Sequence, residues 1–231
     1  MTQTIAILSP HLDDAVFNCC DHMLEWRRNG NDICVYTMFC SFQTRIVPGF
    51  QKEVMRKAGI ASVEELEESR RQEDIRALKL LDVRWLHLDF VDAGFRSYAD
   101  APIYENLQQL CSGKRNPHDD LLFEQMTEFV KTHIEAELIL VPLSVGQHVD
   151  HQIVRQAAEA AGCRGELRYY VDYPYARNPR RWRLQQFKEA MRAKKSIRWM
   201  SSNKRKIMNC YASQMFQLFR WPPFYPEIIL G

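Results

Sequence analysis

Residues 4–14 read TIAILSPHLDD, and this stretch decides the fold. The apolar run TIAIL ends at Ser9-Pro10, which predicts a buried strand that leads into a loop. Apolar residues then recur at helical spacing over Asp13–Gly30, and Gly30 is a typical helix end. The stretch therefore predicts a strand, a loop and a helix in direct succession.

The same alternation continues along the chain. Strands are predicted over Asp32–Phe39, Val83–Phe90, Leu138–Leu143 and Leu167–Val171, and helices over Glu64–Leu81, Leu121–Ile134 and Asp150–Ala161. Apolar strands that alternate with helices predict an α/β fold with a mostly parallel sheet covered on both faces. We expect residues 1–231 to form one domain, with about 177–231 as its basic and aromatic C-terminal extension.

Composition excludes several classes of protein. Of the 231 residues, 46% are hydrophobic and 26% are charged, which excludes disordered, collagen-like and coiled-coil chains. No apolar run reaches the roughly 18 residues of a membrane span, and the N-terminus lacks the features of a signal peptide. Seven cysteines without a CxxC motif indicate reduced thiols. We therefore expect a cytoplasmic protein. GxG, P-loop and GxSxG motifs are absent from the sequence.

The net charge of +2 hides an uneven distribution. Residues 177–206 contain twelve Lys and Arg and one acid, Glu189, so this basic tract carries +11 and leaves −9 for the rest of the chain. The favoured interpretation is a solvated helix with Trp182, Phe187 and Trp199 turned inward. Binding of nucleic acid, phosphate or an acidic partner is the less favoured alternative.

Two short segments concentrate histidine and aspartate, and both follow predicted strands. They are His11-Leu12-Asp13-Asp14 and His148-Val149-Asp150-His151. Open α/β sheets bind ligands at the carboxyl ends of their strands. A catalytic Zn²⁺ site needs three N or O ligands, and the two segments also offer a spare carboxylate for proton transfer and a spare histidine for the oxyanion. The alternative is that Asp13, Asp14 and Asp150 only cap helices.

The paired motifs resemble those of the LmbE-like (PIG-L) zinc-dependent N-deacetylases. The resemblance rests on SPHLDD at 9–14 and HVDH at 148–151, and extends weakly through RRQED at 70–74, DFVDAGFR at 89–96, YYVDYPYA at 169–176 and YASQ at 211–214. Leu12 replaces the proline of the commoner first motif, and Ala15 replaces its glutamate. Neither change removes a ligand, but both leave the subfamily and its substrate open.

The resemblance implies a Rossmann-like three-layer sandwich without a dinucleotide, and hydrolysis of an N-acetyl group on a small-molecule amino sugar or sugar conjugate. By motif position it implies His11, Asp14 and His151 as metal ligands, Asp13 as general base, His148 as the electrophilic or acidic partner at the carbonyl, and Asp150 as the residue that orients a histidine. The implied cofactor is Zn²⁺, with Fe²⁺ or another divalent metal as the alternative.

Further residues and rival functions complete the expectations. Asp92 and Arg96, in the long loop after the third strand, are candidate substrate ligands, with a turn residue and a structural arginine as alternatives. The rivals are a zinc hydrolase of another amide or an ester, and a non-catalytic protein that binds sugar or nucleic acid. The tail RWPPFYPEIIL at 220–230 would suit a subunit contact, so a homo-oligomer is a further expectation.

Overall fold

The computed structural model describes residues 2–214 and 225–231. Over these residues the strands are β1 (Thr4–Ser9), β2 (Asp32–Thr37), β3 (Arg84–His87), β4 (Ser97–Tyr98), β5 (Ala101–Pro102), β6 (Leu138–Pro142), β7 (Glu166–Tyr170), β8 (Lys195–Arg198) and β9 (Glu227–Leu230). The helices are α1 (Asp14–Arg28), α2 (Gly49–Ala58), α3 (Val63–Leu81), α4 (Leu107–Leu110), α5 (Asp120–His133), α6 (Val149–Ala161), α7 (Leu184–Arg192) and α8 (Ser202–Met208). None of the helices in this part of the chain has the length and hydropathy that a membrane span requires.

Within the described residues, seven strands form one sheet in the order β3-β2-β1-β6-β7-β9-β8. The first five are parallel, and β1 lies at the centre, where Ile5 pairs with Ile33 of β2 on one side and Leu138 of β6 on the other. β9 is antiparallel to both β7 and β8. The predicted α/β fold with a mostly parallel central sheet is confirmed.

The core lies on both faces of the sheet because the inner strands are apolar on both sides. In β1, Ile5 and Ile7 pack on one face with Phe17 of α1, whereas Ala6 and Leu8 pack on the other face with the helices α5 and α6. All four residues are buried. Because β1, β6 and β7 are neighbouring parallel strands, their carboxyl ends lie side by side at one edge of the sheet.

The basic tract is not one packed helix, so that interpretation is wrong. Its 30 residues divide into short 3-10 turns, α7, the edge strand β8 and α8. Phe187 and Trp199 are exposed, and Trp182 alone of the three aromatic residues is half-buried, with its indole N–H donating to the Ala176 carbonyl over 3.1 Å. The helical period of 3.6 residues does not hold across a segment that contains a helix, a strand and a second helix. The inward orientation of the three aromatic side chains was therefore mispredicted.

The C-terminal tail contributes to the sheet of its own chain. Residues 220–224 lie outside the described residues, but Tyr225, Glu227, Ile229 and Leu230 are buried, and β9 lies between β7 and β8. The described part of the tail therefore packs largely inside its own chain, and the homo-oligomer stays a prediction.

Candidate metal centre

The loop after β1 is closed by Ser9. Its hydroxyl donates to the His11 carbonyl over 2.8 Å and accepts the Ala15 N–H over 3.0 Å. The Asp14 carboxylate accepts the His11 N–H over 3.0 Å. These bonds join the loop to the first turn of α1, so His11 and Asp14 are held on one short rigid segment.

The loop after β6 carries the second group of site residues. Its backbone passes through the left-handed region at Ser144, Gly146 and Gln147. At Gly146 a Cβ would lie 2.5 Å from the Tyr175 ring, so only glycine allows this ring to pack there. The Tyr175 ring in turn meets the His151 ring edge-on, at 6.0 Å between centroids.

The three predicted metal ligands lie close together. One donor atom from each of His11, Asp14 and His151 lies within 4.8 Å of the others. His11 Nδ1 is 3.2 Å from Asp14 Oδ2, and His151 Nε2 is 3.3 Å from the same oxygen. Two imidazole nitrogens and one carboxylate oxygen are a suitable set for a divalent transition metal.

The far nitrogen of each imidazole is held by a carboxylate. His11 Nε2 is 3.1 Å from Asp150 Oδ2, and His151 Nδ1 is 2.6 Å from Asp172 Oδ1. A carboxylate on one ring nitrogen fixes the tautomer and leaves the lone pair of the other nitrogen available to a metal. Sequence reasoning missed Asp172, although an acidic residue directly after a strand end was a usable signal.

Asp150 is buried beneath the site and does not cap α6. The N-cap of α6 is His148, whereas Asp150 Oδ2 accepts the Ala93 N–H over 2.9 Å. Arg96 forms an ion pair with Asp150 and a second one with Asp119 over 2.9 Å, and it is itself buried. Arg96 is therefore occupied by two carboxylates below the site.

Asp13 is the spare carboxylate. It is buried, and its side chain makes no capping hydrogen bond to α1, so helix capping does not account for it. Burial, assisted by the neighbouring Asp14 charge, raises the pKa of Asp13 to about 7. Burial also opposes ionisation of Asp14, but the His151 and His11 imidazoles outweigh it and hold the pKa of Asp14 well below its usual range.

The electrostatics of the site favour a cation. Burial lowers the pKa of His151, yet Asp14 and Asp172 together raise it to about 9. Burial likewise disfavours protonated His11, but Asp14 and Asp92 raise its pKa above the usual value. The imidazoles tend to hold protons because the carboxylates around them are in excess. A divalent cation would neutralise the same excess, so the donor set fits a metal.

His148 differs from the other two histidines. Its Nδ1 accepts the Asp150 backbone N–H over 3.2 Å, which places the proton of the neutral ring on Nε2. Burial, together with the positive charge of His11 and His151, holds the pKa of His148 well below its usual value. Its ring meets that of His11 edge-on at 4.9 Å between centroids. His148 therefore offers a neutral N–H donor beside the candidate ligands.

Asp92 and Arg70 border the same site. Asp92 Oδ2 is 3.6 Å from His11 Nε2, and Asp92 Oδ1 accepts the Gly94 N–H over 2.6 Å. Burial lowers the pKa of Arg70 below its usual value, and the nearby charges of Asp92 and Asp13 oppose this shift only in part. The sequence did not single out Arg70, because α3 carries many charged residues and most basic residues of such a helix face solvent.

The family model described as PIG-L, GlcNAc-PI de-N-acetylase, matches residues 6–162 of the chain. Two curated relatives are named 2'-N-acetylparomamine deacetylase. The protein from Streptomyces fradiae is 30% identical over 173 residues, which are 74% of this chain and 57% of that one. The protein from Niallia circulans is 23% identical over 184 residues, 73% of this chain and 66% of that one. The chain thus spans less than two thirds of either relative.

Solved structures share the fold. A deacetylase–bog complex from teicoplanin biosynthesis superposes with a TM-score of 0.78 at 22% identity, covering 98% of this chain and 96% of that one. A structure described as the zinc-inhibited form of teicoplanin deacetylase superposes with a TM-score of 0.77 at 21% identity, covering 98% and 97%. At this level of identity the two superpositions establish the architecture alone.

Proposed function

The chain belongs to the PIG-L family of de-N-acetylases, and on this basis we propose that it is a divalent-metal-dependent hydrolase of N-acetylated amino sugars or their conjugates. The observation that carries the proposal is the convergence of His11, Asp14 and His151 beside the buried Asp13. The reaction uses water to cleave the acetamide C–N bond and releases acetate and a free amine. We assign it to residues 1–231 as one domain.

His11 Nδ1, Asp14 Oδ2 and His151 Nε2 are the atoms that would hold the metal. A divalent cation held there would polarise the acetamide carbonyl and would lower the pKa of the attacking water. Zn²⁺ suits the N/O donor set, and Fe²⁺ is the alternative. The teicoplanin deacetylase described as zinc-inhibited gives a reason to test both metals in parallel.

Asp13 is proposed as the general base. A base is most effective when its pKa lies near the working pH, and burial together with Asp14 brings the pKa of Asp13 towards that range. Its carboxylate accepts a proton from water as the C–O bond forms. It then returns the proton to the leaving nitrogen as the C–N bond breaks.

His148 is proposed to stabilise the oxyanion as a neutral donor. Because Nδ1 accepts the Asp150 N–H, the Nε2–H group is available to the carbonyl oxygen as negative charge develops there. Removal of one such donor costs a factor of about 10² to 10³ in turnover in other hydrolases.

The other acidic and basic residues have positioning or binding roles in this proposal. Asp150 and Asp172 orient His11 and His151, and Arg96 holds Asp150 in place through an ion pair. Asp92 is the remaining candidate for a substrate hydroxyl, and its charge also acts on Arg70. A carboxylate accepts and a guanidinium donates, so the two groups together would suit the hydroxyl groups of a sugar.

The substrate class follows the names of the relatives, which are a 2'-N-acetylparomamine deacetylase and a deacetylase in the biosynthesis pathway of teicoplanin. We propose the shared chemistry, an acetamide on a sugar that is part of a larger conjugate. The rival assignment to another amide or an ester uses the same residues and differs only in the acyl group or the leaving group of the substrate.

Metal content and acetate release together test the proposal. Protein purified without chelators should contain about one divalent metal per chain. It should release acetate from N-acetylglucosamine compounds faster than it cleaves longer acyl amides or esters. His151→Ala should lose most of the metal, whereas His133→Ala, a matched control at an exposed histidine of α5, should retain it.

Two results would overturn it. One is a metal content below about a tenth of an equivalent with no activation by added Zn²⁺ or Fe²⁺. The other is faster cleavage of an ester or a longer amide than of any acetamide, which would select the rival hydrolase.

A further inference from the structure

Helix α7 (Leu184–Arg192) packs on the protein through polar side chains. The buried Gln186 amide donates to the Leu143 and Ser144 carbonyls over 3.0 and 2.9 Å. Glu189 accepts from the Arg155 guanidinium over 3.2 Å. The inner face of this helix is therefore held by hydrogen bonds and one ion pair.

The outer face of α7 is apolar. Leu184, Phe187 and Met191 follow one another at spacings of three and four residues, and they are 70%, 53% and 62% exposed. A surface helix normally turns such a stripe towards the core. In α7 the stripe is instead largely exposed, so it is a surface that the described part of the chain leaves open.

The stripe continues into an apolar groove. The groove has a volume of about 640 Å³, and its floor includes Val171, Ile228 and Leu230. Ile197 of β8, which pairs with Ile228 in the sheet, is also exposed. A contiguous apolar surface of this kind marks an interaction site more often than scattered apolar residues do.

Positive charge surrounds the stripe. Residues 177–195 contain eight Lys and Arg, and their one acid, Glu189, is paired with Arg155. The exposed cations include Arg180, Arg181, Lys188 and Arg192. The surface of α7 thus combines exposed Leu, Phe and Met side chains with a basic rim, which is the pattern of helices that lie in a membrane interface.

We infer that α7, the groove and the basic rim form a docking surface for an anionic lipid bilayer. Leu184, Phe187 and Met191 would enter the boundary between headgroups and acyl chains, and the rim would contact anionic headgroups. A second copy of this chain fits less well, because a symmetric contact would bring two basic rims together. Nucleic acid would engage the cations but would leave the aliphatic side chains uncovered.

Docking on this surface would place the candidate metal centre close to the bilayer. The Gly146 N–H donates to the Arg181 carbonyl over 3.4 Å, and the Gln147 amide donates to Gln186 over 3.0 Å. The loop that carries His148 is therefore attached to the segment that would rest on the lipid. Vesicle binding is nevertheless independent of hydrolysis, so the two proposals can fail separately.

Vesicle co-sedimentation of the full chain tests the inference. Wild-type protein should bind vesicles of phosphatidylcholine with about 30% phosphatidylserine, and should bind pure phosphatidylcholine vesicles at least tenfold more weakly. Leu184→Glu/Phe187→Glu should weaken binding about tenfold or more, since it removes the apolar contacts. Lys188→Glu/Arg192→Glu should weaken it at least fivefold per site and reduce its salt dependence.

Leu121→Glu is the matched control, because Leu121 of α5 is 64% exposed but lies outside this surface. It should leave vesicle binding unchanged. Every variant should keep the wild-type Tm, which separates lost docking from lost folding.

The inference would be overturned if the wild-type protein did not bind anionic vesicles, or if Leu121→Glu weakened binding equally. A concentration-dependent dimer that Phe187→Glu dissociates would also overturn it. So would a Tm several degrees lower for Phe187→Glu alone, which would mean that another part of this chain covers the surface. Tighter binding of duplex DNA or RNA than of vesicles, lost on Lys188→Glu/Arg192→Glu, would reassign the surface to nucleic acid.

Discussion

Two buried clusters in this protein each combine histidine with carboxylates and differ in how their charges are balanced. Around Glu227, the carboxylate accepts the Asp21 and His22 backbone N–H groups over 2.8 and 3.1 Å, the His22 Nδ1 over 2.9 Å, and the Lys204 ammonium over 2.8 Å. Lys204 also donates to the Phe17 carbonyl over 2.6 Å. This cluster is complete within the chain.

The candidate metal centre is not balanced in the same way. Asp14, next to Asp13, faces two imidazoles whose pKa values are raised, and it has no Lys or Arg partner among the described ion pairs. The presence of histidine and carboxylate side chains in a buried cluster therefore does not by itself identify a site. The cluster whose charges are satisfied internally holds β9 against α1, whereas the cluster with excess negative charge is suited to a cation.

The largest expected effects come from the adjacent pair Asp13 and Asp14. Asp13→Asn should keep the metal and lower turnover by a factor of about 10² to 10⁴, the usual contribution of a positioned general base. Asp14→Asn should lose both metal and turnover, because it removes one of the proposed ligands. Metal analysis and kcat on both variants decide the assignment, and the reverse pattern would exchange the two roles.

Glu227→Gln is expected to destabilise the fold without affecting metal stoichiometry. It leaves Lys204 buried without its counter-charge, so the free energy of unfolding at pH 7 should fall by about 3–5 kcal/mol. Burial raises the pKa of Glu227, but Lys204 and His22 outweigh it and the net pKa is lowered.

The sign of the pH dependence follows from that lowered pKa. Stability from ionised Glu227 is fully present above the unfolded-state pKa, about pH 4.3, and is lost as the pH falls through the lower folded-state value. The difference between wild type and Glu227→Gln in urea unfolding should therefore shrink below about pH 4.3. A difference that grows in acid would contradict the cluster described here.

A smaller effect is expected at Asp172. Asp172→Asn keeps the shape of the side chain but weakens the hold on His151 Nδ1, so metal affinity should fall by a factor of about 10 to 100. Competition with a metal-binding dye measures the change. Asp82→Asn, at an exposed aspartate that ends α3, is the control and should leave metal affinity unchanged.

The smallest effect is expected at the basic tract. Arg180→Glu/Arg181→Glu should leave kcat/KM for an uncharged acetylated sugar within a few-fold, because both side chains are exposed and screening acts over about 8–10 Å. Assays at low and high salt check this. A large loss confined to anionic substrates at low salt would mean that the tract steers substrate to the site.

The elements β1, α1, β6 and α6 were predictable because their signals are local. Strand β1 and helix α1 were anticipated to within about two residues, and so were β6 and α6. The basic tract was mispredicted because its elements are short, and the orientation of α7 is set by the partners of Gln186 and Glu189. No periodicity in the tract itself indicates those partners.

The sequence by itself determined the alternation of strands and helices, and with it the placement of the His11–Asp14 and His148–His151 segments at strand ends that meet at one edge of the sheet. The pairing of each carboxylate with its imidazole, in contrast, depends on the tertiary structure. Asp150 reaches His11 across 139 residues of sequence, and Lys204 reaches Phe17 across 187. Hydrophobic patterning specifies which face of an element is buried, but the pairing of charges across the core depends on strand order and register, and these are settled only when the whole sheet packs.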